Sequence, residues 1–104
     1  MNPNTVRACA VDALKDGEMQ PVAGTVDPIG IGKAGGEWFA FENNCTHEDF
    51  PLTEGGVDGT EVECALHGAR FCLRTGEVRA FPASCPIRVF PVHVEGDVIQ
   101  VELP

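Results

Sequence analysis

The sequence contains no tyrosine, a single tryptophan, and only seven lysines and arginines against sixteen aspartates and glutamates, a formal charge of -9. A surplus of that sign repels phosphate backbones and anionic membranes and suits a partner with a basic docking surface, so nucleic acid is not an expected ligand. Simple solubility is the plainer account of the same charge. No apolar stretch approaches the roughly 20 residues that a membrane-spanning helix needs. The opening residues, Met1-Asn2-Pro3-Asn4-Thr5, show neither a basic segment nor an apolar one; the expectation is a soluble, cytoplasmic protein with no membrane partner. Also missing is any apolar repeat at helical spacing long enough to make a dependable helix. With 104 residues, 43% of them hydrophobic, one core organises everything, and a single domain over residues 1–104 is expected. A domain this small gains from a metal staple.

What the sequence has instead is short apolar alternation broken by turn residues, the pattern of an all-β fold. Thr5 to Val11 reads as a first strand, Asp12 to Gly17 as a helical turn or loop closed by its glycine, and Pro21 to Val26 as a second strand. Ile29 to Ala34 and Glu37 to Glu42 flank Gly35-Gly36, a pair that supplies the positive φ angles of a tight hairpin. Asn43 to Gly56 is too polar and irregular for a strand. Val57 and Glu61 to Cys64 then face each other across Asp58-Gly59, and Ala65 to Ala69 forms a second loop. Phe71 to Leu73 and Glu77 to Ala80 flank the turn Arg74-Thr75-Gly76. Ile87 to Val94 and Val98 to Leu103 enclose Glu95-Gly96-Asp97. There the alternation of Val92, Val94, Ile99, Val101 and Leu103 with His93, Gln100 and Glu102 predicts a sheet with one wet face. Eight or nine short strands joined by tight turns predict a sandwich or small barrel.

The five cysteines, at 9, 45, 64, 72 and 85, are an odd number, which argues against a disulfide framework. Cys9, Cys72 and Cys85 have no histidine nearby in sequence and read as buried small hydrophobes. Cys45 and Cys64 differ, because each opens a motif that pairs a thiol with an imidazole: Cys45-Thr46-His47 and Cys64-Ala65-Leu66-His67. Between His47 and Cys64 lie 16 residues, enough for a loop and a hairpin, so both motifs can return to one end of a small β fold. His93 falls at a polar alternation position and reads as surface. Trp38 and the six phenylalanines read as core.

Cys-x-His, a gap of this length, then Cys-x-x-His resembles the ligand pattern of the Rieske family. The likeness extends to Gly68, Phe71, Thr75-Gly76, Glu37 to Phe41 and the Ile87 to Val94 strand, and it points to the ferredoxins of ring-hydroxylating dioxygenases, especially the biphenyl and benzene type. It implies a small β-sandwich or barrel carrying a cluster-binding subdomain, approximately residues 43–83, whose two hairpin loops clasp one 2Fe-2S cluster. By resemblance, Cys45 and Cys64 bind the inner iron, and His47 and His67 the outer one. The implied role is a one-electron carrier, not itself an enzyme. It would take electrons from an NADH-dependent flavoprotein reductase and deliver them to a terminal oxygenase that acts on an aromatic ring. Pro82 and Pro86, around Ala83-Ser84-Cys85, resemble the family's proline-containing loop that shields the cluster, although such prolines are also ordinary turn punctuation.

Replacing two of four thiolates by neutral imidazoles makes reduction easier, and Rieske centres span about -150 to +300 mV against about -400 mV for plant-type clusters. High-potential members carry a Ser and a Tyr that donate hydrogen bonds to sulfur, and a disulfide between the loops. Here Ala69 stands at the Ser position and Phe71 at the Tyr position, and no spare cysteines flank the ligands; a low potential is expected. Glu48 and Asp49 follow His47 where related ferredoxins often have Gly. They read as a solvated loop, or else as carboxylates that orient docking on basic partners, an effect greatest at low salt. Two other functions fit the residues less well. A Rieske small subunit of an assimilatory nitrite reductase has the same size and motif, and a structural zinc site uses two Cys and two His, though at a different spacing.

Overall fold

A computed structural model describes residues 4–45, 50–66, 68–80 and 85–103. The expectations for His47, Glu48, Asp49, His67, Phe81 and Pro82 to Ser84 lie outside these residues. Among the described residues there are eleven short strands, one 3-10 turn and no α-helix, so the all-β expectation holds.

The strands form three antiparallel sheets. The first joins the two ends of the chain: β1 (Thr5–Ala10) pairs with β11 (Val98–Glu102), which pairs with β10 (Val92–Glu95). The second runs β2 (Met19–Pro21), β3 (Ile29–Ala34), β4 (Glu37–Glu42) and β9 (Val89–Phe90). The third runs β5 (Gly56–Asp58), β6 (Glu61–Glu63), β7 (Arg70–Cys72) and β8 (Val78–Ala80).

The second sheet is central and both its faces are covered. On one side Ile29, Ile31 and Ala40 pack with Cys9, Ile99 and Val101 of the first sheet. On the other, Phe39 and Phe41 pack with Leu52, Val62, Phe71 and Leu73 around the third sheet. Strand alternation sorts the residues to these faces, and it explains the Ile-Gly-Ile-Gly run of β3. Its isoleucines face the first core. Its glycines face the second, directly opposite the two rings, in the register Gly30↔Phe41 and Gly32↔Phe39. A Cβ on Gly30 would stand 2.6 Å from the Phe41 ring, so the phenylalanines fill the space that the glycines leave.

The Gly35-Gly36 hairpin forms as expected: both residues have positive φ, 59° and 79°, and Ala34 pairs with Glu37 across them. Gly76 serves a different purpose. At φ 82° it lies so close to the Ile87 carbonyl that no side chain fits, and its own carbonyl accepts from the Ile87 amide at 3.0 Å. The β7–β8 turn is thereby fastened to the stretch that leads into β9.

Several expectations are corrected. The second strand is Met19–Pro21, not Pro21 to Val26; after the last rung, the Val22 amide to the Ile29 carbonyl at 2.8 Å, the chain turns out through Gly24 and leaves Val26 fully exposed. The hairpin placed on Asp58-Gly59 closes on Gly59 and Thr60, because Asp58 pairs with Glu61. Ile87 to Val94 is not one strand. Phe90 pairs with Ala40 in the central sheet and Val92 with Val101 in the first, and Pro91, having no amide to donate, stands where the chain changes sheets. Val94, at the rim of the first sheet, is exposed. Cys85 is exposed rather than buried, and Trp38, Phe50 and Phe90 are half-buried at the margins of the two cores.

Candidate metal centre

Cys45 and Cys64 occupy equivalent places. Each follows a strand end, β4 through Asn43-Asn44 and β6 directly, and each opens a short loop. The Cys45 amide donates to the Phe50 carbonyl at 2.9 Å, and the Cys64 amide donates to the Ala69 carbonyl at 2.8 Å. In both cases the bond spans five residues and forms a neck that closes the loop at its base. The Gly68 amide adds a bond to the Cys64 carbonyl at 3.2 Å. Both cysteines are 2% exposed and belong to one apolar cluster with Leu52, Val62, Ala69, Phe71 and Ile87. Neither is in a disulfide.

Outside each neck sits a side-chain clamp. For the first loop it is Asn43, a buried polar residue. Its side-chain amide donates to Thr53 Oγ1 at 3.1 Å, and its Oδ1 accepts from the Thr53 amide at 2.9 Å. Removing both contacts as Asn43→Ala leaves the Thr53 amide without its acceptor, at a cost of about 1 to 3 kcal/mol. The expected outcome is a lower urea midpoint at unchanged slope; a midpoint equal to the parent's shows that the clamp carries no weight. For the second loop the clamp is Arg70, which reaches Glu63, Glu61 and Asp58. Hydrogen bonds to Asp58 and Glu63 hold its guanidinium above the ordinary arginine range.

Neither clamp is evident from the Cys/His motifs. The cue that exists is compositional: Arg70 is the one cation near Asp58, Glu61 and Glu63 in the run 52–70.

The remaining cysteines and the third histidine lie apart from these loops. Cys9 is in the first core, where burial pushes its thiol up and Arg7 partly opposes the shift. Burial pushes the Cys72 thiol up as well, but hydrogen bonds from Thr75, the Arg74 backbone and Arg79 outweigh it and bring the group to about 7. His93 lies exposed on β10, 3.7 Å from Glu102. Among the described residues no three His, Cys, Asp or Glu side chains are grouped to hold a metal ion; the expected imidazoles His47 and His67 fall outside them. Two buried sulfur donors in an apolar shell, each presented from a closed neck and neither used in a disulfide, fit a metal group that takes two thiolates and would balance their charge at that depth.

Residues 4–91 match the model of the Rieske [2Fe-2S] domain. The chain belongs to the Rieske [2Fe-2S] family. Its cofactor is therefore a Rieske-type 2Fe-2S cluster, and the structural zinc reading is set aside. The chain is 42% identical over 97 residues to the biphenyl 2,3-dioxygenase ferredoxin component of Rhodococcus jostii (strain RHA1), which spans 93% of this chain and 91% of that protein. Among solved structures, the Sphingomonas yanoikuyae B1 ferredoxin superposes with a TM-score of 0.90 at 37% identity, covering 97% of this chain and all of that one. A chain in the complex of reduced oxygenase and oxidised ferredoxin in carbazole 1,9a-dioxygenase gives a TM-score of 0.91 at 30% identity, covering 97% and 94%. These Rieske relatives are ferredoxin components, which carry electrons; they do not favour a nitrite reductase subunit.

Proposed function

We propose that this chain is a low-potential Rieske ferredoxin that takes single electrons from an NADH-dependent flavoprotein reductase and passes them to a terminal Rieske oxygenase of an aromatic-ring dioxygenase system. When bound, the 2Fe-2S cluster supplies the one-electron chemistry; Cys45 and Cys64 would hold the inner iron, and His47 and His67 the outer one. The whole of residues 1–104 is read as one Rieske domain with a cluster-binding region at approximately 43–83.

The observation that carries this reading is the pair of matching necks, which present two buried cysteines from two loops into a single apolar core. The protein's own part is to hold the sulfur donors in place and to exclude water from them, since Leu52, Val62 and Phe71 seal the inner side. Ala69 and Phe71, both fully buried beside the cysteines, bring no hydroxyl to that side, and this supports a potential at the low end of the family. The partners are supported by the dioxygenase ferredoxins to which the chain is similar. No helix among the described residues is long and apolar enough to cross a membrane, and none of the cysteines is in a disulfide; both observations support a cytoplasmic carrier that works where NADH is made.

The test is an EPR spectrum of the anaerobically reconstituted, dithionite-reduced protein, followed by NADH-driven turnover with a dioxygenase reductase and oxygenase. A signal of mixed cysteine and histidine ligation, with turnover that depends on this protein, is expected. Absence of iron after reconstitution ends the proposal.

A further inference from the structure

The second loop is held by a residue that no part of the ligand motif requires. Glu63 and Arg70 are paired across β6 and β7 and form the last rung before the chain departs into the loop; the Cys64 amide to Ala69 carbonyl bond is the next contact outward. Val62 and Phe71, paired one position further back, point into the core, so alternation puts Glu61, Glu63 and Arg70 together on the opposite face. On that face one guanidinium takes three carboxylates. Nε donates to Glu63 Oε2 at 2.9 Å, and Nη2 lies 2.8 Å from the same oxygen. Nη1 donates to Asp58 Oδ2 at 2.9 Å and reaches Glu61 Oε1 at 3.4 Å. Asp58 is on β5, which does not pair with β7, and it pairs with Glu61 at the turn end of the hairpin, so the Arg70 side chain grips Glu63 at the root of the loop and reaches back across β6 to tie three strands.

An exposed ion pair contributes little to stability. All four side chains here are partly exposed, so the network has little to add to global folding. Its position gives it a local effect. We propose that Arg70 is a positioning residue for the iron–sulfur centre, fixing the neck from which Cys64 is presented by joining Asp58, Glu61 and Glu63. The proposal rests on the reading of Cys64 as a ligand. It requires the planar fork of arginine, because a lysine keeps the charge but is a single point on a flexible stem and cannot hold Glu63 on β6 and Asp58 on β5 at once.

The experiment compares holo-protein carrying Arg70→Lys or Arg70→Gln with the parent, reading iron release to a chelator and the EPR g-values of the reduced centre. Supporting residues around metal ligands typically change affinity by 10–100-fold. Iron release about tenfold faster is expected in Arg70→Gln, with shifted g-values, and Arg70→Lys is expected to stay closer to Arg70→Gln than to the parent. Should Arg70→Gln fail to retain a centre, Arg70→Lys carries the comparison. Parent-like release and g-values in Arg70→Lys overturn the proposal, since charge alone would then suffice. Cys64→Ser is measured in parallel. If it loses the signal, the ligand reading stands whatever Arg70→Lys shows; if it keeps the parent's signal, that reading falls and the inference with it.

Discussion

Ala69→Ser combined with Phe71→Tyr is expected to raise the midpoint potential of the protein, with a ceiling of about 130 to 260 mV. Both side chains are fully buried in the apolar cluster that contains Cys45 and Cys64, so a hydroxyl placed on either lies on the side of the proposed sulfur ligands. A hydrogen bond to a charged acceptor is worth about 1.5 to 3 kcal/mol. Reduction increases the negative charge on the sulfur atoms, so a donor stabilises the reduced state more than the oxidised one. For a one-electron couple, each 59 mV corresponds to a tenfold change in the equilibrium constant, or about 1.4 kcal/mol. Two donors that act in full give the range stated. A redox titration of the double variant checks it, and an unchanged midpoint would remove the account of low potential given above.

The same substitutions carry a second signature. Without a cluster to accept the bonds, two buried hydroxyls lack partners, at a cost of about 1 to 3 kcal/mol each. The double variant should therefore lose more stability than the parent when iron is removed. A variant destabilised equally with and without iron would show that its hydroxyls point away from the centre.

Much of the architecture can be read from local chemistry. Gly35-Gly36 announces its hairpin because only that pair supplies two positive φ angles at no steric cost. Arg74-Thr75-Gly76 marks its turn through one glycine, Gly76, at positive φ. The two Cys/His motifs stand out because a thiol and an imidazole at fixed short spacing are rare outside metal sites. Sheet membership is a different matter. Little that is local tells Val89-Phe90 to pair with β4 and Val92 to pair with β11, since both lie in one apolar run; the one local cue is Pro91, which has no amide to donate where the chain changes sheets. Nor does pattern alone find the Arg70 network. Asp58, Glu61 and Glu63 resemble any solvated acidic hairpin until register places β7 beside β6 and lets one side chain span three strands. Asn43 is hidden in the same way: its partner Thr53 is ten residues on, beyond the first loop. Cys72 reads as an ordinary buried cysteine until the turn at Thr75 and the side chain of Arg79 are seen to close over it.

Converting both proposed imidazoles to thiols, as His47→Cys with His67→Cys, is expected to take the centre out of the Rieske range and toward the about -400 mV of all-cysteine plant-type clusters. Each exchange replaces a neutral nitrogen donor with an anionic sulfur, so two negative charges are added to the group before any electron arrives, and the added electron meets that repulsion. The fall opposes the rise expected from the Ala69→Ser and Phe71→Tyr pair, although all four positions fall within or beside the same two loops. His93→Ala serves as the control. It is the one remaining histidine, it sits on the first sheet beside Glu102, and its loss should leave both midpoint and EPR signal unchanged. A double cysteine variant that assembles a cluster yet keeps a Rieske midpoint would mean that the nitrogen donors lie elsewhere. If His93→Ala then alters the signal, the assignment of His47 and His67 is wrong, while the two cysteine necks would still stand.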